Sequence, residues 1–274
     1  MKKLTVSLFA LLLLLPAFVS AQSAHKLQYK MEKGKTYRYE ILSDGSFTQT
    51  MMGQEMKITT NVLITNRIVI EDVTKDGNIV LLASMDSGRV STKMPMKDTT
   101  ISLDNFAGKR TRITMDKLGN VLKREIVDTM ENGQMASMAQ MQLAQFFILS
   151  GDAASSWKSS KTDTLDMMGG KIVNVSDMDM SIQGSETMAG HNSLKIPFTG
   201  KITSNGKTSM MGQELFIEGN GKVSGTFYFD EKAGIMSFSE TLTDLDMTMA
   251  TTGENNMIIP MTQSNKTTVK LLNK

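Results

Sequence analysis

Through most of this chain apolar and polar residues alternate with the two-residue period of strands that bury one face. Tyr37, Tyr39 and Ile41 alternate with Arg38, Glu40 and Leu42, and over 57–73 Val62, Ile64, Ile68 and Ile70 share a face that Asn66 interrupts. The Asp76-Gly77 turn signal leads into the apolar run Ile79–Ala83, and a weaker stretch at 86–108 reads as a loop-rich connection or an edge strand. A hairpin is predicted at 109–128 about Lys117-Leu118-Gly119-Asn120, and another at 163–180 about Met167-Met168-Gly169-Gly170. Gly184 to His191 reads as a turn. Beyond it, strands are predicted at 193–203, 214–230, 234–250 and 256–272, with Pro197 and Pro260 at edges or bulges.

One segment changes period. Between Asn132, a possible N-cap, and Gly151, Met135, Met138, Ala139, Leu143, Phe146 and Leu149 recur at helical spacing, so a helix near 133–149 is expected to cover an apolar face of the sheet. The expected fold is therefore mainly β: long antiparallel hairpins forming a curved sheet or half-open barrel with one covering helix. The tip Met51-Met52-Gly53-Gln54-Glu55 returns as Met210-Met211-Gly212-Gln213-Glu214, with a partial copy at Met167-Met168-Gly169. Each full copy follows a Ser-Asp/Asn-Gly step and precedes an alternating strand. This repetition divides a single domain, 22–274, into two related halves, about 27–128 and 191–272, around a helix-containing middle.

Residues 1–21 read as a cleaved signal peptide: Lys2 and Lys3, an apolar run from Leu4 to Val19, then Val19-Ser20-Ala21 before Gln22. The expected location is beyond the inner membrane, periplasmic or extracellular. No later run is long enough for a transmembrane helix. Of 30 basic residues the leader holds two, so the mature chain has as many basic as acidic side chains, the latter numbering 28. Such a balance, without a Lys/Arg cluster, argues against nucleic acid as a partner. There is no Cys, hence no disulfide, thiolate chemistry or acylated-cysteine anchor.

The chain is not expected to be an enzyme. It has no Gly-x-Ser-x-Gly elbow, no His-Glu-x-x-His and no phosphate-cradling glycine loop, and its two His leave zinc and nucleophilic mechanisms short of parts. His25 is expected to be solvated in a frayed leader and His191 solvated in a turn. No metal site and no cofactor are assigned. Methionine stands out at 25 residues. Met fills cores, lines adaptable apolar surfaces and offers thioethers to Cu(I) or Ag(I). The candidate ligand-binding residues are Met51, Met52, Met167, Met168, Met210 and Met211 at the tips, with Phe146 and Phe147 on the helix and Trp157, the only Trp.

Leu27, Gly34, Tyr37 and Tyr39, a Gly151-to-Trp157 element, and Gly184, Glu186, Thr187, Ala189, Gly190, Leu194, Lys195 and Ile196 resemble an uncharacterised family of secreted β-rich bacterial proteins. More distantly, the layout is similar to the half-barrel of periplasmic lipoprotein carriers. That resemblance implies a concave apolar face holding a lipid or another apolar small molecule. An alternative function is a structural or interaction protein that meets an envelope partner; Met-rich Cu(I)/Ag(I) binding is a third.

Overall fold

The structure, a computed structural model, describes residues 25–51, 54–95, 97–128, 146–153, 155–167, 170–210, 213–251 and 257–272. Its strands are β1 (His25–Leu27), β2 (Thr36–Met51), β3 (Gln54–Val73), β4 (Ile79–Met94), β5 (Lys97–Ser102), β6 (Arg110–Met115), β7 (Val121–Ile126), β8 (Gly151–Ala153), β9 (Ser156–Met167), β10 (Gly170–Ser181), β11 (Ser185–Met188), β12 (His191–Met210), β13 (Gln213–Asp230), β14 (Ile235–Thr251) and β15 (Ile258–Leu271). β1 and β8 form a small antiparallel pair. The others build one 13-stranded sheet in the order β7-β6-β4-β3-β2-β15-β14-β13-β12-β10-β9, with β5 beside β4 and β11 beside β12. The two ends of that order do not pair with each other among the described residues, so the curved antiparallel sheet stays open.

Strand register sorts the side chains into two faces. Across β3, β2, β15, β14 and β13, the row Ile64, Ile41, Val269, Ser239 and Phe227 lies on the inner face. Lys222 opposite Asp244, and Lys266 opposite Asp44, lie on the outer face. The inner row is buried and these outer residues are exposed, apart from chain-level variation at the edges. On β12 and β13, Gly200, Gly206, Gly219, Gly221 and Gly225 all fall on the inner face. A Cβ at Gly225 would collide with the Glu240 carbonyl oxygen and the Phe198 ring, and one at Gly206 with the Lys171 carbonyl oxygen. Glycine here lets neighbouring strands close up on the concave side, which curves the sheet.

The strand ends Met51 and Gln54, Met94 and Lys97, Met167 and Gly170, Met210 and Gln213, and Thr251 and Ile258 lie at one end of the sheet, called distal below. The turns at 74–78, 116–120 and 230–234 lie at the proximal end. There the inner face is covered. The segment after β1 crosses it, with the Tyr29 amide donating to the Lys117 carbonyl (2.8 Å) and the Lys30 amide to that of Gly234 (3.0 Å). Residues 146–149 form a second strap, where the Leu149 amide donates to the Leu118 carbonyl (2.8 Å). Together the straps and the proximal strand ends bury Leu27, Tyr29, Met31, Leu81, Ile113, Met115, Phe227, Phe229 and Leu149 in one core.

Several expectations need correction. The described end of the expected helix, Phe146 to Leu149, is not helical, and the only helix among the described residues is a short 3-10 turn at Asp104–Phe106; residues 129–145 lie outside them. Over 146–149 the cover is a non-helical strap. The 86–108 stretch is more regular than expected, since β4 runs on to Met94 and β5 pairs back on it. The segment 184–191 is a hairpin, with Met188 opposite His191 and left-handed Ala189 (φ 49°) and Gly190 (φ 79°) at its tip, the conformation that a tight hairpin turn needs. Pro197 sits between the last residue of β12 paired to β11 and the first paired to β10, where its missing N–H costs no ladder bond on that side.

Candidate functional site

The inner face changes character along the strands. At the proximal end it is filled by aromatic rings contributed from the straps. Phe147 stacks on Phe227, with centroids 4.4 Å apart and planes 10° apart, and leans on Phe198 at 5.2 Å. Phe146 meets Tyr29 edge-on at 5.4 Å, and Tyr29 meets Phe229 at 5.5 Å. Adjacent residues on an extended strap point opposite ways, so Phe146 and Phe147 reach different rings. The Tyr29 hydroxyl donates to the Phe147 carbonyl (3.1 Å) and the Trp157 indole N–H to that of Ile148 (3.3 Å), fixing the strap to the sheet. Burial raises the Tyr29 phenol well above its ordinary pKa, so it stays a neutral donor. Phe146, Phe147 and Trp157, expected as ligand contacts, are therefore brought together as a plug in a filled core.

Next comes a polar patch on the floor. Ser43 donates to the Asn265 side-chain oxygen (2.9 Å) and lies 3.2 Å from the Thr267 hydroxyl, while the Asn265 amide donates to Thr267 (3.0 Å). These groups hydrogen-bond to one another. Beyond them apolar side chains return to the inner face, interrupted by Gln49, Gln263, Ser204 and Thr208. Phe47, Ile58, Met56, Ile202, Ile217, Leu245, Met247 and Met249 are only half-buried there, although they share the face of the core. Ile172, Leu215, Ile259 and Met261 are buried at the distal end but do not belong to the core cluster. This distal trough is the candidate binding surface.

Backbone register places Met51, Met167 and Met210 at the rim of that trough, each beside its own tip. Met51 lies opposite Gln54 and Met210 opposite Gln213, so the two full repeats have the same register. Met52, Met168 and Met211 lie outside the described residues. The outer face behind the trough is different in kind. A groove of about 740 Å³ there is lined by Thr48, Thr50, Thr248 and Thr262, by Glu55, Glu218, Asn220 and Asp246, and by Met247, Pro260 and Met261. Its hydroxyls and carboxylates suit the polar part of a solute, and the methionines and proline give an apolar part something to cover. Among the described residues no group of three His, Cys, Asp or Glu could hold a metal ion.

Near the opening between the end strands, Arg124 of β7 is exposed to water, yet the surrounding protein lowers its guanidinium pKa by desolvation, against the Asp163 carboxylate of β9. Both histidines have partners, contrary to expectation. His25 Nδ1 is 3.0 Å from Glu231 and His191 Nδ1 is 2.9 Å from Asp230, so adjacent carboxylates of one proximal turn take one His each. The Lys26 amide also donates to Glu231 (2.6 Å), and Lys30 Nζ donates to the Glu231 carbonyl (2.7 Å). That turn holds the N-terminal strap in place.

No family model matches the chain. Comparison with curated proteins finds no match either. Among solved structures the chain is similar to an outer membrane channel from Pseudomonas putida F1, at 12% identity over 89% of this chain and 97% of that one, with a TM-score of 0.29. A superposition that loose carries no argument about function. No helix among the described residues is long and apolar enough to cross a membrane.

Proposed function

We propose that this chain is a non-enzymatic binding protein of the cell envelope that holds a lipid or other apolar molecule in the distal trough of its curved sheet. The observation that supports this reading is the contrast along one face: buried where the straps lie, then a half-buried stretch with Phe47, Ile58, Ile202, Ile217 and Leu245, before Ile172, Leu215, Ile259 and Met261 are buried again at the distal end. Half-exposed apolar residues on a concave surface gain about 25 cal/mol for each Å² that a ligand covers. On the outer face exposed apolar side chains such as Leu42 and Leu242 are interspersed with charges, among them Asp44, Lys222, Asp244 and Lys266. Soft methionines such as Met56, Met247 and Met249 suit a surface that accepts chains of variable shape. Native mass spectrometry of the gently purified mature protein tests the reading. It predicts a co-purified lipid adduct that is lost in Leu245→Glu; a protein with no adduct that also binds no hydrophobic dye in its folded state would sink it.

A second reading, an interaction protein of the envelope, is supported by the filled proximal half and the two open sheet edges. Under it, Leu245→Glu leaves association with envelope proteins unchanged.

A further inference from the structure

The two edges of the sheet are unlike. β7 is a six-residue strand, whereas β9 runs for twelve residues, contains no Gly or Pro, and pairs only with β10 among the described residues. A long, regular open edge is a template for another strand, and proteins usually blunt it with charged side chains, bulges or proline. β9 has no bulge and no proline, and of these devices it carries only charges, two Lys and two Asp. Its charges are antisymmetric about Thr162: Lys161 and Asp163 flank it directly, and Lys158 and Asp166 stand four residues to either side.

Consider a second β9 laid antiparallel against the first with Thr162 opposite its own copy. Residue 161 then falls opposite 163 and residue 158 opposite 166, so every charge meets its opposite. Ser160 falls opposite Thr164 and Thr162 opposite Thr162, hydroxyl pairs that suit facing strands. Moving the centre to Lys161 sets Lys161 against itself; moving it to Asp163 sets Asp163 against itself. One register is selected. The cations are already ordered along the edge, since Lys158 pairs with Asp179 at 2.9 Å and Lys161 with Asp163 at 2.7 Å, and Lys158 remains largely exposed. Arg124 of β7, on the inner face, lies near enough to Asp163 to feel its charge.

We propose that a second copy of this chain pairs along β9, forming a two-fold symmetric dimer whose sheet continues across the interface. This does not depend on the ligand reading. The test uses the full mature chain in sedimentation velocity, with two charge-reversed variants, Lys158→Asp/Lys161→Asp and Asp163→Lys/Asp166→Lys. The expected result is a wild-type dimer that weakens with salt, each variant alone monomeric with unchanged far-ultraviolet circular dichroism, and a dimer restored when the two are mixed. In parallel, Thr162→Cys in this cysteine-free chain should be captured as a dimer by a short thiol-reactive crosslinker, and Thr226→Cys should not. A wild-type chain that stays monomeric, or variants that dimerise alone as well as the wild type does, would overturn the proposal, as would equal crosslinking at both positions.

Discussion

One set of strands is packed shut at the proximal end and only half-covered over the middle of its inner face, before Leu215, Ile259 and Met261 are buried again at the distal end. On β13, Phe227 and Phe229 have no exposed surface, while Ile217, on the same inner face as Phe227, is half-buried. On β14, Ser237 and Ser239 are buried under the straps and Leu245 and Met247 are not. Strand alternation is the same in both regions, so strand patterning does not make the difference. The straps do: Tyr29, Phe146 and Phe147 supply the second layer that a one-sheet fold needs for a core. Where the described residues provide no such layer, apolar positions remain available to something else.

The sharpest way to break this contrast is to hollow out the plug. Phe227→Ala removes the ring on which Phe147 stacks and should cost about 3–5 kcal/mol, read as a lower urea midpoint, without direct effect on the distal trough. Curving the sheet comes next. Gly225→Val forces a side chain against the Glu240 backbone and the Phe198 ring, so a loss of about 1–3 kcal/mol is expected, with weakened ligand retention as the trough flattens. Smaller again is the acid response of the latch. Burial alone would raise the Asp230 and Glu231 carboxyls, but for Asp230 the Ala233 amide and His191, and for Glu231 His25 and the Lys26 amide, bring both below their ordinary values of 3.8 and 4.5. Their contribution is therefore present above those ordinary values and is lost as pH falls through the lowered folded ones. Amide exchange at Lys30 should accelerate there before global unfolding, and His25→Ala should reduce the step. The smallest stability effect belongs to the trough: Leu245→Ala should cost about 1 kcal/mol or less while weakening ligand retention more than Phe227→Ala does.

Much of the fold was legible because every long strand buries one face, which imposes the two-residue period. The repeated Met-Met-Gly tips also marked hairpins with a common register. Long-range pairing was not legible: β2 joins β15, and His25 and His191 find Glu231 and Asp230 at sequence separations of 206 and 39. No local signal connects such residues. The run Phe146-Phe147-Ile148-Leu149 fits a helical stripe on paper, but four apolar residues in a row fit an extended strap between two layers as well, and packing against Tyr29, Phe198 and Phe227 decided it. The aromatic residues at the strap were recognised as important but assigned to the ligand, because sequence does not distinguish a plug from a pocket. The inward-facing glycines of β12 and β13 carried a readable signal, their shared parity along each strand, that would have shown which side of the sheet is concave.

The most direct test of the account uses neighbouring residues of β14 that point to opposite faces. Leu245→Cys and Asp244→Cys, each carrying a polarity-sensitive fluorophore on a chain with no other cysteine, are titrated with a single-chain phospholipid below its micelle concentration. The account predicts a saturable blue shift at position 245 and none at 244. Equal shifts at both positions, or a shift at 244 alone, would contradict it.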